Sequence, residues 1–382
     1  MYRLRAAVLC FMIVVSGLLQ GGCWDAHELN TLSIVAGVGI DVAQDNEYDV
    51  TVQIRKVTKP SGGEPEEPYI LLDGTGKTIL EGLEQIRLEN NRDLFLHQNQ
   101  IIVISQEQAE LGIRPLLDMF LRYHETRLEV WVVISKCRAS DLFQVKLIQE
   151  PVTASALALM MQDRSEESPR LAANMLNVTS SMLDASSALV VPLFGLVDEF
   201  GTSKVSIDGS AVFVSDKMVG QFNEDETLGF AIGSSDIKSG LLEIETDKGS
   251  AVLYMSNSSA KMKTKLVDGH VEADISVDCT LSVAEINGFD GQKLPDVFGI
   301  LEEAGVKHMV QLITEAFEAS RKMNADIFGI GSEMNRSHPK EWSSIKTDWK
   351  KLYPQTTLNL TVKGNLLESG KISDSLTMRG EQ

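Results

Sequence analysis

Hydrophobic and polar residues alternate along two parts of the chain strongly enough to name strands. Tyr48, Val50, Val52 and Ile54 alternate with Asp49, Thr51, Gln53 and Arg55, the period of two of a half-buried strand. The apolar run Leu32–Ile40 precedes it across a turn at Asp45-Asn46, which predicts a hairpin. Farther on, Lys261, Lys263 and Lys265 alternate with Met262, Thr264 and Leu266. Beyond Asp268-Gly269, Val271, Ala273, Ile275 and Val277 alternate with polar partners. Asp-Gly between two alternating runs is a strong hairpin signal. Ile101-Ile102-Val103-Ile104 is apolar throughout and reads as a buried strand, as does Leu128 to Ile134. Between them, Ser105 and Gln108 resemble a capping box. Pro115 opens a further helical turn with Leu116, Leu117, Phe120 and Leu121 on one face. Strand, helix, strand suggests a crossover unit in a mixed sheet.

The remaining pattern fills in around these units. Residues 58–68 carry three prolines and two glycines and read as a loop. A helix is predicted from near Thr75, with Ile79, Leu80, Leu83 and Ile86 as its apolar stripe. Short helices are expected at 139–146 and 154–161, a charged loop at 164–170, and a helix over 171–186. Leu189 to Leu193 reads as a strand, with Pro192 suggesting an edge position. Ile207–Val214 and Met218–Phe222 form a second predicted hairpin, a short helix follows at 223–231, and 241–286 is mostly strand. The longest helical pattern covers 296–326, with Gly305 a potential break, and Thr357 to Val362 closes the chain as a strand. The expected fold class is α+β and multi-domain, with mixed and antiparallel sheets, packed helices, and a C-terminal antiparallel sheet crossed by the long helix. A boundary is expected at Glu199–Lys204. The expected segments are 1–22, 23–200 (one unit or two subdomains) and 205–375.

The first segment changes the picture of where the rest resides. Arg3 and Arg5 precede an apolar run from Ala6 to Leu19, broken only by Ser16 and Gly17 and followed by Gln20-Gly21-Gly22-Cys23-Trp24-Asp25. A positive start, an apolar stretch of that length and small residues before the cut form a signal peptide. The run is shorter than the ~20 residues a spanning helix needs. A cysteine directly after Gly21-Gly22 resembles the lipobox of bacterial lipoproteins, in which Cys23 would be lipidated and become the first mature residue. Gln20 stands where that pattern has Leu, and an ordinary secretory signal ahead of a Cys is the competing reading.

Composition narrows the possibilities further. The chain has 382 residues, 43% of them hydrophobic, enough for packed cores. Removing Arg3 and Arg5 leaves 33 basic against 54 acidic residues, a net charge of −21. Such a body is repelled by nucleic acid and by anionic headgroups, so attachment to a membrane would come from lipid. Cys137 and Cys279 are the two other cysteines of the mature chain; they read as buried thiols packing as small hydrophobes, with a disulfide as the other reading.

Candidate chemistry is sparse. Gly74-Thr75-Gly76-Lys77-Thr78 looks like a phosphate loop, but Leu71 occupies the position of its first glycine, and a glycine-rich approach to a helix is the plainer reading. The six histidines lack metal-ligand spacing. No Gly-x-Ser-x-Gly elbow is present; Gly329-Ile330-Gly331-Ser332-Glu333 has its serine after the second glycine. Catalytic residues, metal and cofactor are all expected to be none.

Three blocks resemble the Ger(x)C family, the C subunits of nutrient germinant receptors in endospore-forming bacteria. The first is Gly22-Cys23-Trp24-Asp25 with Glu28-Leu29-Asn30, running to Gly39-Ile40-Asp41. The second is Leu96-His97-Gln98-Asn99-Gln100-Ile101, continuing through Gly112, Leu117-Asp118, Arg122 and Arg127. The third is Asp326-Ile327-Phe328-Gly329-Ile330-Gly331 with His338-Pro339, Trp342, Ile345 and Trp349. The resemblance implies a non-enzymatic lipoprotein on the outer face of the spore inner membrane. It would work beside an A subunit and a transporter-like B subunit, to which nutrient recognition is mainly attributed. It also implies three α+β domains. A solute-binding lipoprotein of an uptake system is the alternative, against which the consecutive strands at 206–286 count. A lipid-anchored hydrolase is another, lacking a clustered catalytic set.

Phe328, Gly329, Gly331, Trp342 and Trp349 form the expected partner interface. Trp342 and Trp349 would share one helix face and act as anchors, or else pack beneath their own sheet.

Overall fold

The computed structural model describes residues 1–18, 31–56, 67–123, 126–147, 149–183, 188–199, 201–234, 237–289, 292 and 294–367. Helix α1 (Tyr2–Leu18) covers the apolar N-terminal run. Cys23, Trp24 and Asp25 lie outside the described residues, as does most of the 58–68 loop.

The first sheet is built from β1 (Leu32–Val42), β2 (Tyr48–Arg55), β3 (Tyr69–Gly76), β4 (Asp93–Phe95), β5 (Ile101–Ser105), β6 (Trp131–Ser135), β7 (Leu189–Glu199), β8 (Thr202–Val214) and β9 (Lys217–Phe222). Among the described residues its order is β3-β2-β1-β5-β6-β7-β8-β9, with β4 beside β1. The expected hairpin is the antiparallel β1–β2 pair, and the expected crossover unit joins the parallel strands β5 and β6. Helices α2 (Ile79–Glu89), α3 (Gln106–Leu111), α4 (Arg114–Arg122), α5 (Ala139–Phe143), α6 (Thr153–Glu167) and α7 (Met175–Leu183) flank it.

The apolar run in β5 has a simple cause. Ile102 and Ile104 point into the core shared with α2, α4 and α7, while Ile101 and Val103 point into the opposite core under α5 and α6. A strand covered on both faces has no polar side to show.

Four expectations need correction. The helix predicted near Thr75 begins at Ile79, because Tyr69–Gly76 is a strand. Helix α6 continues through the predicted 164–170 loop as far as Glu167. The long helix α9 (Leu294–Lys322) passes through Gly305 without a break. Pro192 lies inside the sheet, since β7 runs between β6 and β8. It is tolerated there because β6 pairs with β7 only at Leu193 and Phe194, and a bulge separates Pro192 from Phe194 on the β8 side. On the β6 side no residue is in register with Pro192 to require the missing N–H.

After α8 (Glu224–Ser234) comes a second sheet: β10 (Ser239–Thr246), β11 (Gly249–Val267), β12 (His270–Gly288) and β13 (Thr357–Leu367), hydrogen-bonded in that order. Asp268 and Gly269, both at positive φ (50° and 84°), make the tight β11–β12 turn. The first three strands are antiparallel, whereas β13 pairs parallel to β12. A parallel neighbour demands a crossover. Helix α9 (Leu294–Lys322) and the short helices α10 (Ile330–Ser337), α11 (Pro339–Ile345) and α12 (Trp349–Leu352) supply it.

The two sheets are joined by more than a linker. The expected division at 199–204 falls inside the β7–β8 hairpin. Ala211, Phe213 and Met218 of β8 and β9 pack in the first core, and Val212 and Phe222 of the same strands pack in the second.

Candidate functional site

The polar segment between α9 and β13 contains one side chain whose environment is unusual. Asp326 sits wholly inside the second core's edge, just before α10. The first N–H groups of a helix have no partner within it. Here the backbone N–H groups of Ile330 and Gly331 donate to the Asp326 carboxylate at 2.9 and 2.7 Å. Gly329 makes the turn between them at φ 73°, ψ 36°, a left-handed conformation that costs any other residue strain. The Asp326 carbonyl accepts the N–H of Ala188 at 2.8 Å, tying this turn to the start of β7 in the first sheet. Burial pushes the Asp326 carboxyl up to about 7, against the pull of the Gly331 and Ile330 N–H groups and the Trp349 indole. The Trp349 Nε1 itself is buried and makes no hydrogen bond of normal geometry.

Aromatic rings pack outward from this carboxylate. Trp342 and Trp349 meet edge to face at 5.3 Å between centroids, and Trp349 continues to Tyr353 at 5.8 Å. Tyr353 packs on Phe317, and its hydroxyl and the Ser320 Oγ are 2.6 Å apart. Phe328 fits between Phe317 and Phe230. Burial, and then the nearby Asp326, push the Tyr353 phenol up from its ordinary range.

Of the residues expected to form an interface, Phe328, Gly331, Trp342 and Trp349 are buried in the chain's own core, and Gly329 is half-buried. Trp342 and Trp349 are only 7% and 6% exposed. They lie on separate short helices, and the turn between these helices is what brings the rings together. The outer side of the segment presents Lys340, Glu341, Ser343 and Lys346 to solvent.

Other sequence features take structural roles. Thr78 caps α2 by accepting the Glu81 N–H at 3.2 Å, while Glu81 accepts the Lys77 N–H at 2.8 Å. Gly74 lies so close to α2 that a Cβ there would meet the Gly82 carbonyl oxygen at 2.2 Å. Cys137 and Cys279 are both free thiols, the first half-buried and the second buried beside Met309. Among the described residues no group of His, Cys, Asp and Glu is placed to hold a metal.

One buried acid escaped the sequence reading. Asp41, 1% exposed, accepts the N–H groups of Ala139 and Ser140 at 2.8 and 3.1 Å and so caps α5 from 98 residues away. Burial raises its carboxyl from the ordinary range. Arg138 bridges it to Asp49, at 3.8 and 2.5 Å respectively. The only local trace of this is an Asp at the apolar end of a strand.

Two sheets with flanking helices and a long crossover helix define a multi-domain α+β protein. The model for the "Spore germination protein N-terminal domain" matches residues 25–196, and that for "Spore germination B3/ GerAC like, C-terminal" matches residues 208–370. The chain belongs to the Ger(x)C family of spore germination proteins and has a role in spore germination. It is similar to spore germination protein KC of Bacillus subtilis (strain 168), with 22% identity over 96% of both chains. It is likewise similar to spore germination protein B3 of the same organism, with 21% identity over 96% of this chain and 98% of the relative. The crystal structure of the GerBC protein shares its fold, with a TM-score of 0.54 and 18% identity over 90% of this chain and 100% of the other.

Proposed function

We propose that the mature chain is a lipid-anchored, non-enzymatic subunit of a germinant receptor, required for the response of spores to nutrients. It would be held through Cys23 on the outer face of the spore inner membrane and work with A and B membrane subunits. The observation that carries the reading is the position of Cys23, directly after a short apolar helix and Gly21-Gly22, at the head of a chain that matches this family almost throughout. No described helix is long and apolar enough to cross a membrane. Two acyl chains on one residue supply stable attachment where a single chain does not. Residues 1–22 are then a signal peptide, and 23–200 and 205–375 the working segments.

The Phe328–Trp349 segment is the proposed docking surface on another subunit. Its aromatic side fixes its shape against the core, and its polar outer side is open to a partner. The two sheets differ in strand number and order, which argues against the paired similar lobes of a solute-binding lipoprotein.

The test uses spores carrying the chain or its Cys23→Ala variant. Labelled palmitate should enter only the former, and the variant should leave the membrane fraction and lose its co-purifying membrane partners. Label that persists in Cys23→Ala, or a chain that captures no membrane protein from spores, overturns the proposal.

A further inference from the structure

A second place in the fold carries unspent polar groups. At the N-terminal ends of the parallel strands β5 and β6, the loops preceding them and helix α6 enclose a cleft of about 320 Å³, at the small end of the range for small-molecule sites. Asn99 forms part of its wall and is only 4% exposed. Its Oδ1 accepts the Ile101 N–H at 3.3 Å, but its Nδ2 has no hydrogen-bond partner. Beside it Arg55 donates to the buried Ser155 Oγ at 2.7 Å. Among the described residues no carboxylate pairs with Arg55 or with Arg127 across the cleft, although the chain has 54 acidic residues against 35 basic ones. Guanidinium groups suit the two oxygens of a carboxylate better than any other partner the side chains offer.

We propose that this cleft binds a small molecule through its carboxylate group, held by Arg55 and Arg127. Trp131 and Leu159 line the same space and would receive a short apolar tail. Glu129 and Glu150 also line it, so an ammonium group beside the carboxylate has a place to pair. The shared chemistry is the carboxylate; it can come from a zwitterionic amino acid or from a plain organic acid. The inference stands independently of receptor membership and of the lipid anchor.

Three probes of matched shape separate the sources: valine, isovalerate and isobutylamine, each titrated calorimetrically into the full chain in detergent micelles. Binding of valine or isovalerate, with isobutylamine silent, is the expected result. Valine alone identifies a zwitterion site, isovalerate alone a plain acid site, and both together a carboxylate site indifferent to the ammonium. Arg127→Gln should weaken binding at least tenfold, and Arg55→Gln similarly. Arg127 is exposed and makes no ion pair among the described residues, so its variant should melt like the parent. Silence of both carboxylates at millimolar concentration overturns the proposal. So does isobutylamine binding equal to theirs, or unchanged affinity in both arginine variants.

Discussion

The indole rings of Trp342 and Trp349 meet edge to face, 5.3 Å between centroids at an interplanar angle of 71°. Edge-to-face pairs at this spacing add to the burial energy of each ring. The contact also closes the polar segment over the core beside Asp326, since Trp349 reaches both Trp342 and the carboxylate's surroundings.

Truncating either ring should therefore act on stability first. Trp342→Ala and Trp349→Ala are expected to cost about 3–5 kcal/mol each, with a double variant costing less than the sum because the rings share a contact. Denaturant titration of the three variants checks this. A melting point within a degree or two of the parent for either single variant would contradict the core assignment.

Asp326 should leave a signature in the pH dependence of stability. Its folded carboxyl is pushed up to about 7, while an unfolded Asp ionises near ~4. Between those values the folded state keeps a proton the unfolded state has lost, so this group's contribution falls as pH rises from about 4 to about 7. It is constant above and below that window. Asp326→Asn should make the slope of stability against pH in that window more positive than the parent's, whatever the other carboxylates contribute. The variant keeps one acceptor for the two N–H groups of Ile330 and Gly331. Thermal melts of both proteins across pH 4 to 8 are the measurement, and parallel curves would refute the assignment.

Gly329 should not tolerate a side chain. At its left-handed backbone, φ 73°, an added Cβ would meet nothing nearer than the Ser332 Cβ at 3.9 Å, so the cost of Gly329→Ala is conformational and about 1–2 kcal/mol. Gly329→Asn should lose less than Gly329→Ala, because Asn visits this region more readily. Equal stability of the alanine variant and the parent would mean that the turn relaxes.

Asp41→Ala should destabilise the first sheet and its helices by about 1–3 kcal/mol. It removes the acceptor for two N–H groups at the start of α5, one of them fully buried. Hydrogen exchange at Ala139 and Ser140 should accelerate in the variant, ahead of exchange in β5. Uniform exchange throughout the sheet would show that the cap does not hold α5 locally.

The sequence by itself determined the elements whose cause is local. The continuous apolar run Ile101–Ile104 announces a strand buried on both faces, and the packing of alternate residues into two cores shows why. Asp268-Gly269 announces its turn because few residues accept positive φ. The chemically bland glycine-rich stretch at 74–78 was readable for the same reason, since Thr78 and Glu81 cap a helix within four residues of one another. The tertiary structure alone decided whatever depends on a partner distant in sequence. Pro192 looks like an edge residue until the short β6–β7 register shows that it has no partner on the β6 side. The alternation in Thr357–Val362 gives a strand but not its parallel pairing with β12, which follows from the length of the crossover through α9. Two tryptophans seven residues apart look the same whether they face a partner or a core, and only the fold of 338–353 buries them. Asp41 and Ala139, 98 positions apart, leave no pattern in either stretch. Periodicity records which face of an element avoids water, whereas a buried carboxylate is placed by whichever helix end arrives above it.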